Sequence, residues 1–232
     1  MKEIYCGKTK DVYLLENGNY LLKFKDDVTG ENGVFDPGSN RVGLTIAGIG
    51  NKGLRLTTLF FEYLRENKIK THFIKSNFNE NSMEVIPAIP FGKGLEVICR
   101  TKATGSFIRR YKAYVKEGMD LNYFVEITLK DDEAQDPPIN QEALSLLGLL
   151  TPSEYDLLIN KTKHLTKLIE TKLMQSNIVL YDIKFEFGKD LKTNEIILID
   201  EISGGNMRAY LNGEILDPIT LANIILENTI NK

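Results

Sequence analysis

With 232 residues and a formal charge of −3, the chain is long enough to bury a sizeable core and lacks the basic balance of a general nucleic-acid binder. Its two cysteines, Cys6 and Cys99, form neither a metal spacing nor a disulfide framework, which fits a reducing compartment. No run approaches the roughly 18 apolar residues that span a bilayer, and Met1 to Lys10 holds no apolar signal core, so a soluble, cytoplasmic protein is expected.

In chain order, Ile4 to Cys6 and Val12 to Leu14 flank Gly7-Lys8-Thr9-Lys10, and a strand here puts Lys8 and Lys10 on one face. Val12 to Leu15 and Tyr20 to Lys25 form a hairpin around Glu16-Asn17-Gly18-Asn19, because Asn-Gly accepts the left-handed turn conformation. Asp26 to Gly50, rich in Gly, Asp and Asn and containing Phe35-Asp36-Pro37-Gly38, is expected as an ordered loop. Apolar residues at helical spacing predict a helix over Gly53 to Asn67, and strands follow at Thr71 to Lys75 and Ser82 to Ile86. Pro87 to Gly92 then marks the boundary between two lobes of one compact unit: residues 1–90, mainly antiparallel β, and residues 91–232, α+β.

The second lobe opens with a strand at Leu95 to Arg100 and a basic helix at Phe107 to Lys116. A strand at Phe124 to Leu129 runs into the charged loop Lys130 to Pro138, which lacks the glycine and spacing of a calcium loop. Helices are predicted at Glu142 to Leu150 and Ser153 to Gln175, the second opening at the cap signal Thr151-Pro152-Ser153-Glu154. Leu180 to Gly188 and Glu195 to Glu201 form a hairpin around Lys189 to Asn194, and a final helix runs from Pro218 to about Asn228. Strands that cluster and helices in separate runs define the class as α+β.

Period-2 alternation in the last hairpin puts Asp182, Lys184 and Glu186 on one face and Tyr181, Ile183, Phe185 and Phe187 on the other. A row of acid, base and acid is costly to bury unless it faces a cleft, a metal or a charged ligand; the bland alternative is a solvated strand face. Pairing the two strands brings Glu186 towards Asp200, and two facing carboxylates suit Mg²⁺. Lys8 and Lys10 are placed to hold a polyphosphate or, blandly, to guard an exposed strand edge. Arg100 to Ser106 with Arg109 and Arg110 offers guanidinium groups and a hydroxyl before a helix, suited to phosphate or carboxylate or, blandly, forming a solvated basic helix face. His72 and His164 lack any partner pattern and read as packing residues, and no nucleophile motif supports covalent catalysis by Ser or Cys.

Together, Gly7 to Lys10, Lys52-Gly53 with Leu56-Thr57, Glu96 to Ser106, Lys130 to Pro137, Asp182 to Gly188 and Asp200 to Ser203 with Arg208 resemble the SAICAR synthetase family of purine biosynthesis. The resemblance implies a two-lobed fold akin to ATP-grasp and kinase-like nucleotide clefts. It implies an ATP-dependent ligase joining L-aspartate to 5-amino-1-(5-phosphoribosyl)imidazole-4-carboxylate (carboxyaminoimidazole ribonucleotide), with no nucleic-acid or membrane partner and with the oligomeric state open between monomer and homo-oligomer. By matched position, Lys8, Lys10 and Lys130 would contact ATP phosphates, while Glu186 and Asp200 would hold Mg²⁺. Arg100, Ser106, Asp182, Lys184 and Arg208 would engage the imidazole nucleotide, with Lys184, Asp182 and Lys130 nearest the chemistry; Arg109, Arg110 and Asp136 are candidates for aspartate. Two positions depart from the family pattern: Gly204-Gly205 stands where Pro-Asp is usual, and Cys99 replaces an aliphatic residue. Asn206 is the expected polar substitute, at a ribose hydroxyl. A ligase for another carboxylate or amine, and a non-catalytic nucleotide-binding protein, are the alternatives.

Overall fold

The computed structural model describes residues 1–31, 34–35 and 41–230. Its N-terminal strands are β1 (Lys2–Cys6), β2 (Lys10–Leu14), β3 (Tyr20–Phe24), β4 (Asp27–Glu31), β5 (Val34–Phe35) and β6 (Val42–Thr45). Helix α1 (Ile49–Glu66) follows, then β7 (Phe73–Asn77), β8 (Ser82–Val85), β9 (Ala88–Pro90) and β10 (Leu95–Lys102). Beyond these lie α2 (Gly105–Tyr111), β11 (Asp120–Leu129), β12 (Pro138–Ile139), α3 (Gln141–Leu146) and α4 (Pro152–Met174). The chain continues with β13 (Val179–Asp190), β14 (Ile196–Ile199), β15 (Met207–Leu211), β16 (Glu214–Ile215) and α5 (Pro218–Ile230). The mixture is α+β, as the sequence predicts.

A five-stranded antiparallel sheet orders as β1-β2-β3-β8-β7, and a second sheet as β12-β11-β10-β13-β15-β16. Strand β13 is the spine of the second sheet. One edge pairs with β10 and then β9, and the other with β15 and then β14, so all four neighbours are antiparallel to it. Its length of 12 residues is what lets it serve two strands on each side. Helix α4 packs on β10 and β13, α1 packs on α5, and one apolar cluster runs from Leu22 in β3 through Phe60 and Phe185 to Ile225 in α5.

Local chemistry explains most boundaries. Gly18 turns the β2–β3 hairpin at φ +83°, and the Asn17 side chain accepts the Asn19 N–H at 3.0 Å. Thr151 and Glu154 cap each other at the start of α4 as a capping box. Helix α1 begins one turn earlier than periodicity predicts, because its start is capped from a distance: the Asp26 carboxylate accepts the N–H groups of Gly48 and Gly50 at 2.9 and 3.0 Å. Helix α2 stops at Tyr111, short of Lys116, as the chain turns back for Gly118 and Met119 to pair with Ala103. Helix α3 stops at Leu146, where Gly148 at φ +66° lets the Leu149 N–H close on the Leu144 carbonyl.

Other expectations are corrected. Asp26 to Gly50 is not simply a loop, since β4 pairs with both β5 and β6; Asp36-Pro37-Gly38 lies outside the described residues. Ala88 to Pro90 is a strand on β13 rather than mere punctuation, and β15 and β16 complete the sheet. Tyr181 does not share the core face with Ile183. A register shift between Leu180 and Asp182 sends Leu180 into the core and leaves Tyr181 stacked on Tyr210 at 3.8 Å.

Gly204 is fixed by contact: a Cβ there would lie 2.6 Å from the Pro218 Cα, where α5 begins. Gly204→Ala is therefore expected to lower stability by about 1–3 kcal/mol in urea unfolding, whereas Gly213→Ala, which meets nothing within 4 Å, is limited to the strain of its positive φ.

Candidate functional site

Every residue singled out from the sequence for ATP, metal or substrate lines one cleft of about 1180 Å³ between the two sheets. Its chemistry comes from β13, whose Asp182, Lys184 and Glu186 stand at alternate positions, flanked by β10 and by the chain after β14.

One end gathers lysines and carboxylates. Lys10, at the start of β2, ion-pairs with Asp200 at 3.0 Å and with Glu201. Lys130 binds Glu186 at 2.7 Å, and Lys184 binds Glu96 at 2.6 Å. Lys8 does not share a strand face with Lys10. Residues 7–9 form a turn closed by the Gly7 N–H on the Lys10 carbonyl at 2.9 Å, and Lys8 reaches the half-exposed Asp132 at 2.7 Å. Gly7 is required there, since a Cβ would sit 2.4 Å from the Lys10 carbonyl oxygen.

The carboxylates split in opposite directions. Glu186 is pushed above the usual carboxylate range by burial and by the charge of Asp200, which outweigh Lys130 and Lys184. Burial acts on Asp200 in the same sense, but Lys10, Lys130 and Lys184 overwhelm it and hold the group well below that range. Lys10 and Lys184 are desolvated yet keep their charge, because Asp200 and Glu201 raise the one and Glu96 and Glu186 the other. Glu186 and Asp200 offer hard oxygen donors, which fit Mg²⁺. Among the described residues no group of three or more His, Cys, Asp or Glu converges as a metal cage. A cation here would complete its shell with phosphate oxygens and water, as Mg²⁺ commonly does.

Three strands build the other end side by side. Arg100 of β10 faces Asp182 of β13, which faces Arg208 of β15. Asp182 Oδ2 accepts from Arg100 at 2.5 Å and from Arg208 at 2.9 Å. Arg100, only 1% exposed, also donates to Ser106 Oγ at 2.9 Å and through Nε to Glu126 at 2.9 Å, and Arg110 pairs with the other Glu126 oxygen. Gly105 leaves room for the Arg208 guanidinium, whose Cζ would lie 2.6 Å from a Cβ at that position.

Sequence reasoning missed Glu126, Glu201 and His72 as site-building residues. Glu126 had a signal: an acid inside the apolar run Phe124 to Leu129, on the strand beside Arg100. Glu201 is partner to Lys10, and nothing in its spacing separates it from Asp200. Burial pushes the His72 ring down to about 4, so it is neutral at pH 7, and its Nε2 lies 3.0 Å from the Asp200 carbonyl oxygen. Asn206, expected at a ribose, is engaged elsewhere: its Oδ1 accepts the Ser203 N–H at 2.9 Å and its Nδ2 donates to the Glu201 carbonyl at 2.6 Å. Arg109 and Asp136 also line the cleft. Among the described residues no helix is long and apolar enough to cross a membrane.

Comparison with known proteins points the same way. The family model described as SAICAR synthetase matches residues 3–217. A phosphoribosylaminoimidazole-succinocarboxamide synthase from Clostridium tetani (strain Massachusetts / E88) is 61% identical over 227 residues, covering 98% of this chain and 100% of that protein. The synthase of the same name from Finegoldia magna is 38% identical over 214 residues, covering 90% of this chain and 86% of its own. Among solved structures, a SAICAR synthetase (Type-2) in complex with ADP has a TM-score of 0.86 at 28% identity, covering 99% of this chain and 98% of that one. A type-1 structure of SAICAR synthetase from Pyrococcus horikoshii OT3 has a TM-score of 0.82 at 27% identity, covering 96% and 98%. With the matched region holding both ends of the cleft, this chain belongs to the SAICAR synthetase family.

Proposed function

We infer that this chain is an ATP-dependent carbon–nitrogen ligase of de novo purine biosynthesis. It joins L-aspartate to 5-amino-1-(5-phosphoribosyl)imidazole-4-carboxylate, forming the succinocarboxamide ribonucleotide, ADP and phosphate. The observation that carries the reading is that one cleft holds Lys10, Lys130 and Lys184 with Glu186 and Asp200 at one end and the Arg100–Asp182–Arg208 row at the other. A binding-only module has no need of both ends, and the full-length likeness to synthases at 61% identity argues against a ligase for another carboxylate. Incubation with Mg-ATP, aspartate and the ribonucleotide tests it: ADP and a product of the succinocarboxamide mass are expected, and ADP formation that ignores the ribonucleotide overturns it.

In this reading Lys8, Lys10 and Lys130 contact the ATP phosphates, which would compete with Asp132, Asp200 and Glu186 for the ammonium groups. Glu186 and Asp200 would hold Mg²⁺, which when bound neutralises phosphate charge. Arg100, Ser106 and Arg208 hold the ribonucleotide, with Asp182 fixing both guanidinium groups; Lys184 stands beside the reacting carboxylate. An oxygen of that carboxylate attacks the γ-phosphorus, the bond to the bridging oxygen breaks, and ADP leaves. The amine of aspartate then attacks the acyl carbon and loses a proton as phosphate departs. Arg110, with Arg109 and Asp136, is the proposed aspartate contact, and the cytoplasm the proposed location.

Lys10→Met and Lys130→Met are expected to raise KM for Mg-ATP by at least about tenfold, or about 1.4 kcal/mol. Lys68→Met and Lys116→Met, at exposed positions, leave it unchanged. Steady-state ADP release measures all four, and equal effects would return the lysines to the role of edge guards.

A further inference from the structure

The turn that presents Asp200 has no strand ladder of its own, and we propose that His72 is the positioning residue that sets it. The inference rests on the reading above, in which the Asp200 carboxylate serves the magnesium nucleotide. Asp200 sits at φ +66°, in the left-handed region, a conformation that Asp tolerates but does not prefer, so contacts around the turn help to hold it. The carbonyls of three successive residues are each taken by a side chain, two of them from remote segments and one, Asn206, from the same loop. The His72 ring meets Asp200 O at 3.0 Å, Asn206 Nδ2 donates to Glu201 O at 2.6 Å, and Thr57 Oγ1 donates to Ile202 O at 3.2 Å. A carbonyl only accepts, so His72 Nε2 carries the hydrogen.

His72 is anchored through its backbone and its ring. Its N–H donates to Leu198 O at 2.9 Å, its own carbonyl accepts the Ile86 N–H at 2.8 Å, and its ring stands edge-on to Phe61 with centroids 5.6 Å apart. It therefore ties the segment after β8 to the end of β14, two residues before the carboxylate. Thr71 extends the join by a parallel bridge to Leu198. The ring's hydrogen bond goes to the Asp200 backbone carbonyl and not to its carboxylate, so its effect passes through the direction in which the Asp200 side chain leaves the chain.

The test is calorimetric titration with ADP, with and without Mg²⁺, on the full-length protein. His72→Leu, which removes the donor, is expected to weaken ADP binding about tenfold or more in the presence of Mg²⁺, in line with outer-shell partners of metal ligands, and to leave metal-free ADP binding unchanged. His72→Gln, whose side-chain N–H can reach the same carbonyl, should stay close to wild type. Equal loss with and without Mg²⁺, or no loss, overturns the proposal. His72→Phe, which keeps a ring against Phe61, replaces the leucine variant if that fails to fold. Asp200→Asn separates the two readings. If it retains Mg²⁺-dependent binding, the role of Asp200 itself fails; if it loses that binding while His72→Leu keeps it, only the positioning role fails.

Discussion

Asp200→Asn and Glu186→Gln are each expected to lower kcat by about two to three orders of magnitude at saturating Mg-ATP, the scale seen when one electrostatic contact to a developing charge is removed. The asparagine variant isolates charge from shape, because Asn tolerates the left-handed conformation at least as well as Asp, so the φ of +66° is retained. Lys10 keeps Glu201 as a partner. Glu186, freed from the repulsion of Asp200, should titrate closer to an ordinary carboxylate. Near wild-type turnover in either variant, with an unchanged thermal midpoint, would overturn the assignment.

Arg208→Ala is expected to raise KM for the ribonucleotide by about thirtyfold or more, roughly 2 kcal/mol or above, because it strips one partner from a desolvated charge. Asp182, 3% exposed, keeps Arg100, so the fold survives, but the anion facing the row loses its second guanidinium. KM values for Mg-ATP and aspartate should move little. A comparable rise in KM for Mg-ATP would place Arg208 at the phosphates instead.

The residues of both ends were legible in the sequence because charged side chains stand out inside apolar strands. Asp182, Lys184 and Glu186 alternate along β13, and the structure keeps them so. What was hidden is long-range. Asp26 caps α1 from 22 residues away, a partner no local window holds. Glu126 and Glu96 fix Arg100 and Lys184, but only the pairing of β10 with β11 and β13 brings them together. Asp120 to Tyr123 is hidden as strand because Asp and Asn are poor strand formers; burial alternates through them in β11 even though Asn122 and Tyr123 are left-handed. His72 looked like packing, and it does pack; its ring nitrogen acts on a carbonyl 128 residues away.

Strand β13 has a further consequence as a ruler. Asp182, Lys184 and Glu186 are spaced by two residues, steps of about 6.6–6.8 Å in a β-strand, and paired strands on both edges prevent the strand from sliding. On the proposed assignment of the two ends, the gap between the ribonucleotide anchor and the phosphate-transfer end is thus written in backbone pitch. A one-residue slip would turn all three side chains into the core. Substituting lining residues can change what the pocket likes, whereas accepting a substrate whose carboxylate lies nearer to or farther from its ribose phosphate would require moving a strand.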